Sequence, residues 1–147
     1  MERYATIAAN LAVLIGLMFV AYELRLNNQL LQLEARSAAS ENAREIGVAY
    51  MGDSELVSAR LKYSRGEQLS EIESARLATY FWLVFRAWQD EYFYYESGLL
   101  DRGPEGQLAD KLRSLEDPAV SGHWEVFSEE LSPEFVEFIE TARRDGI

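Results

Sequence analysis

The chain has 147 residues, with 14 basic against 25 acidic side chains and a net charge of −11. Its 48% hydrophobic and 27% charged residues suit one compact domain and exclude a disordered or low-complexity chain. The absence of cysteine excludes disulfides, thiolate metal sites and cysteine nucleophiles, and the acidic balance argues against duplex nucleic acid as a partner.

Residues Tyr4 to Tyr22 read YATIAANLAVLIGLMFVAY, 19 residues without a charge and with Asn10 as the one strongly polar side chain. As a helix this run spans roughly 28 Å, close to the ~30 Å hydrocarbon thickness of a bilayer. Tyr4 and Tyr22 bracket it, as rings that favour the headgroup level do. The pattern predicts a transmembrane helix. A cleaved signal peptide fits less well, because the start Met1-Glu2-Arg3 is nearly neutral and Glu23-Leu24-Arg25 makes a poor cleavage site. A buried core helix would need the remaining chain to cover every side of it. Arg3 on one flank against Arg25, Arg36 and Arg44 on the other predicts a cytoplasmic C-terminal part.

Within the span Ala8, Ala12 and Gly16 recur every four residues, and Ala5 and Ala9 form a second row. Small residues at this spacing let helices approach closely in lipid. They predict self-association or docking on a larger membrane complex, unless they reflect only the general abundance of alanine in such helices. Asn10 invites a partner across the same interface, or lines an oligomeric pore.

No helix breaker follows until Gly47, and Glu23 to Glu45 is rich in helix formers. Val20, Leu24, Leu31, Ala35, Ala38 and Ile46 keep helical spacing, so the first helix should continue as one rod to about Ala49. This gives three segments: a transmembrane helix over 1–25, a helical extension over 26–51 and a soluble helical domain over 52–147.

Gly52-Asp53-Ser54 signals a helix start, and a short helix from Ser54 to Arg65 should show Leu56, Ala59 (or Arg60) and Tyr63 on one face before Gly66 stops it. Ser70-Glu71-Ile72-Glu73 matches a capping box and opens a helix to Ser97, closed by Gly98. Its stretch Leu77 to Phe85, LATYFWLVF, is too short to cross a bilayer and reads as a buried helix covered on several sides. Trp82, Phe85, Trp88, Tyr92 and Tyr95 would contribute roughly 1.5–3 kcal/mol each if enclosed. Three short helices should follow, starting at Pro104, at Asp117-Pro118 and at Ser132-Pro133. Residues 96–147 carry a balance of −8 against −3 for residues 1–95, so the C-terminal helices should point away from an anionic leaflet.

Catalytic equipment is sparse. His123 is the sole histidine, which argues against di-iron bundles, zinc sites and serine triads. It reads as a surface or helix-start residue. The patch Trp82, Arg86, Trp88, Asp90, Glu91, Tyr92, Tyr94, Tyr95 and Glu96 places charges beside rings at the end of a buried helix. It is a candidate pocket, above all through Trp82, Arg86, Trp88, Asp90 and Tyr92, or else an internal network in which Arg86 pairs with Asp90 one turn on. The three glycines from Gly98 to Gly106 separate two helices and do not follow a strand, so they make no phosphate loop.

The order of YELRLNNQ, GDSELVSARLKYSRGE, YFYYESGLLD and DPAVSGHWEVFSEELSPEFVEFIE resembles a loose class of small bacterial membrane proteins. The resemblance runs from about Ile7 to Glu140 and implies a single-pass helical protein of a bacterial inner membrane. It carries no activity, so no residue inherits a role. The expected fold is therefore all-α: a transmembrane helix continuing into a small helical bundle. The expected function is a non-enzymatic accessory or scaffolding subunit without cofactor, metal or nucleic acid. The alternatives are a domain that binds a small molecule or lipid, and an oligomeric pore.

Overall fold

The computed structural model describes residues 2–100 and 105–145, and the side chains of residues 2, 5, 8, 9 and 105–108 fall outside that description. The described chain is all-helical. Six α-helices follow one another: α1 (Glu2–Gly52), α2 (Ser54–Ser64), α3 (Glu71–Glu96), α4 (Glu105–Ser114), α5 (Pro118–Phe127) and α6 (Pro133–Asp145). A single 3-10 turn at Ser128–Glu130, not foreseen from sequence, joins α5 to α6.

The boundaries follow from local chemistry. Asp53 caps α2 by accepting from the amides of Glu55 and Leu56, both at 3.0 Å. Ser70 and Glu73 form the capping box of α3, the Glu73 amide donating to Ser70 Oγ at 3.3 Å and the Ser70 amide to Glu73 Oε2 at 2.9 Å. Gly66 and Gly98 end α2 and α3 in the left-handed region, at φ +72° and +69°. At the second end the Gly98 amide reaches the Tyr95 carbonyl and the Leu99 amide the Tyr94 carbonyl, a Schellman closure that a Cβ would disfavour. Asp117 caps α5 through the Ala119 amide at 2.8 Å, with Pro118 in the first turn. Pro104, the expected start of α4, lies outside the described residues.

Every described side chain from Arg3 to Leu31 is exposed, so the first half of α1 stands clear of the domain. By length and composition α1 could span a membrane. Its second half is a wall of the domain. The Gln32 side-chain amide donates to the Gly98 carbonyl at 3.4 Å, and the Tyr50 and Tyr80 rings lie 5.1 Å apart. Both separations are 18 residues along their helices, so α1 and α3 run antiparallel over roughly 27 Å.

The core gathers around α3. Leu77, Phe81, Phe85 and Gln89 recur every four residues and are all buried. Leu56 of α2, Ala119, Val120 and Trp124 of α5, and Phe135 and Ile139 of α6 pack around them. Phe85 has Trp88 at 5.4 Å and Trp124 at 5.3 Å, both edge-on. The cover of α3 is less complete than its composition suggests. Leu83 remains 51% exposed. Among Trp82, Phe85, Trp88, Tyr92 and Tyr95 only Phe85 is buried. Trp82, Trp88 and Tyr92 pack against the core and stay partly exposed.

Candidate functional site

The antiparallel contact of α1 and α3 leaves an open groove of about 350 Å³. Its α1 wall is built from small residues. Ala39, Ala43 and Gly47 recur every four positions and so share one face, with Asn42 and Ile46 beside them. Opposite them α3 contributes Tyr80, Val84, Ala87, Trp88, Asp90, Glu91 and Tyr94. The hollow is the space between short side chains on one helix and rings on the other. Lys111 of α4 closes the set, and its ammonium pairs with Glu91 at 2.9 Å in a mostly buried contact.

The sequence-predicted pocket residues do not all meet. Of the patch singled out in the sequence, Trp88, Asp90, Glu91 and Tyr94 line the groove. Arg86 lines a neighbouring hollow of about 370 Å³, with Glu45, Ala49 and Leu83, and Asp90 borders both. The Arg86 guanidinium lies 5.8 Å from the Trp82 ring centre, and no ion pair joins it to Asp90 among the described residues. Trp82 packs on Phe127 at 5.6 Å, away from the groove. Tyr92 packs on Phe138 at 4.9 Å and Phe135 at 5.6 Å, serving as a joint between α3 and α6. Burial, reinforced by the charge of Glu96, pushes its phenol pKa up. The residues that sequence reasoning missed are Tyr80 and the row Ala39, Ala43 and Gly47. The four-residue spacing of Ala39, Ala43 and Gly47 was the available signal, but small residues on one face do not identify the helix they meet.

The other charged clusters are internal joints. Arg76 holds Asp53 at 2.8 Å and Glu55 at 2.9 Å, and Lys62 holds Glu73 at 2.6 Å, locking α2 onto α3. The Lys62 ammonium, the Ser70 amide and the Ser70 hydroxyl together hold Glu73 down to about 2. The Leu56 amide is the largest influence that lowers Asp53, opposed by partial burial and aided by Arg76. Arg60 ties α2 to three other helices: it pairs with Asp117, the cap of α5, at 3.2 Å and lies 5.8 Å from the ring centres of both Tyr50 of α1 and Phe81 of α3. Burial raises the Tyr80 phenol pKa, and the charge of Arg60 partly offsets it. His123 is neither at a helix start nor at the groove. It sits within α5, its Nδ1 bonded to the Ala119 carbonyl at 2.6 Å and its ring 4.6 Å from that of Phe81. Since a carbonyl only accepts, Nδ1 carries the proton in this contact.

Of the helix-association residues, Asn10, Ala12 and Gly16 are exposed on α1, and a Cβ built on Gly16 meets nothing within 4 Å. Ala8 has its side chain outside the described residues. Compared with protein-family models, with curated proteins and with solved structures, the chain matches none of them.

Proposed function

We propose that this chain is a single-pass membrane protein of a bacterial inner membrane, with the helical domain on the cytoplasmic side. In this reading it is a non-enzymatic accessory or scaffolding subunit that self-associates or docks on a larger membrane complex. One observation carries the membrane part. Ile7, Leu11, Val13, Leu14, Ile15, Leu17, Met18, Phe19 and Val20 are each more than half exposed, and among the described residues nothing covers them. Removing them from water is worth well over about 10 kcal/mol. A helix can take them into lipid because its backbone hydrogen bonds are satisfied internally.

Association rests on the face formed by Ala12 and Gly16, where small side chains permit close backbone approach. The test is the mass of the protein component in mild detergent, by light scattering, for the native chain and for a variant carrying Ala12→Leu and Gly16→Leu. The native chain should exceed the monomer and the variant should fall toward it. Equal association of both contradicts the interface, and a monomeric native chain contradicts self-association.

A further inference from the structure

We propose that the groove between α1 and α3 binds a small organic cation, an alkylammonium carrying an apolar body. The ligand's chemistry goes beyond the membrane reading and does not depend on it; only the choice of a free solute over a lipid headgroup rests on that reading. The volume of about 350 Å³ falls at the small end of the range for small-molecule sites. Three aromatic residues, Tyr80, Trp88 and Tyr94, line it. Aromatic linings with a nearby carboxylate select ammonium groups, because ring quadrupoles attract a cation that is poorly served by hydrogen bonds.

The charges decide the sign of the ligand. Glu91 and Lys111 neutralise each other across 2.9 Å. Asp90 has no cation paired with it among the described residues, and the nearest candidate on its own helix, Arg86, lies against Trp82 instead. Among the described residues the lining therefore carries one carboxylate, that of Asp90, without an ion-pair partner. An anion would meet that carboxylate and find Lys111 already engaged. A purely apolar ligand would desolvate Asp90 without compensation. A cation satisfies both the carboxylate and the rings, and the net charge of −11 favours its approach.

Alkylammonium groups also occur on choline lipids. The groove begins at Ala39, 17 residues beyond Tyr22, so it stands roughly 25 Å along α1 from the end of the uncharged run. That separation favours a free solute over a bilayer headgroup.

The test uses the full-length chain in maltoside detergent, with choline as probe and its uncharged isostere 3,3-dimethylbutan-1-ol as control, read by titration calorimetry and tryptophan fluorescence. Choline should bind at least about tenfold more tightly than the alcohol. Asp90→Asn should weaken choline by about tenfold or more while leaving helical content unchanged. Gly47→Leu should also abolish binding: a Cβ at Gly47 meets nothing within 4 Å, so the side chain fills the groove while Asp90 and every ion pair stay in place. Failure of choline to bind at millimolar concentration, equal binding of the alcohol, or native affinity in either variant overturns the proposal. In nanodiscs of phosphatidylcholine and of phosphatidylglycerol the affinity should be equal. A loss confined to phosphatidylcholine makes the lipid headgroup the occupant and overturns the assignment to a free solute.

Discussion

Glu73 is the residue whose environment makes the sharpest pH prediction. Its carboxylate receives the Lys62 ammonium at 2.6 Å and the Ser70 amide at 2.9 Å, and its pKa falls from 4.5 to about 2. A folded-state value below the unfolded one means that the stabilisation is present above about pH 4.5 and is lost as pH falls toward 2. The melting temperature of Glu73→Gln should therefore lie below that of the native chain at neutral pH. The gap should close progressively between pH 4.5 and 2, as followed by circular dichroism. A gap independent of pH would contradict the ion pair. Gln89 makes a second prediction. It is 5% exposed, and its Oε1 accepts the Ser132 amide at 2.6 Å, tying α3 to the start of α6. Gln89→Met keeps the volume and removes the acceptor, so it should cost about 1–3 kcal/mol in thermal unfolding. Gln89→Glu keeps an acceptor but buries a charge, so it should recover part of the loss only at acidic pH, where the carboxyl is neutral. The sequence signalled the Glu73 contact through its capping-box spacing, but only half of it. The Lys62 partner lies on another helix, and Gln89 looked like an ordinary polar residue because its partner is 43 residues away.

At the scale of elements, α3 organises the domain, and its two faces should respond differently. Phe85→Ala empties a fully buried site ringed by Phe81, Trp88 and Trp124 and should cost about 3–5 kcal/mol. Leu83→Ala, on the open strip, should stay within about 0.5 kcal/mol. Similar losses at both positions would mean that the open strip is covered in solution. Helix ends were the most legible feature of the chain, because Asp53, Ser70, Asp117, Gly66 and Gly98 act through neighbours within a few residues. The pairing of α1 with α3 was not legible. Ala39, Ala43 and Gly47 form a helical face, but a face of small residues does not say which helix it meets. The distribution of the rings on α3 was hidden for the same reason, since Trp82 and Tyr92 are drawn to Phe127 and Phe138 by tertiary contacts.

The whole molecule divides by exposure. The first half of α1 presents uncovered apolar side chains all round, and the second half forms one wall of an acidic helical domain. Periodicity and the absence of charge from Tyr4 to Tyr22 announced the first part, because a bilayer-length apolar run is a property of the sequence alone. The groove was legible in part: Trp88, Asp90, Glu91 and Tyr94 belong to the stretch whose charges stand beside rings in the sequence, whereas its α1 wall and the Glu91–Lys111 pair appear only once three helices come together. The most direct measurement of the central claim is alkaline carbonate extraction of membranes from cells expressing the full-length chain, with intact mass determined on the protein recovered. The chain should stay in the membrane pellet at the full mass of its 147 residues. Recovery in the carbonate supernatant, or a mass shortened by removal of the N-terminal segment, would contradict it.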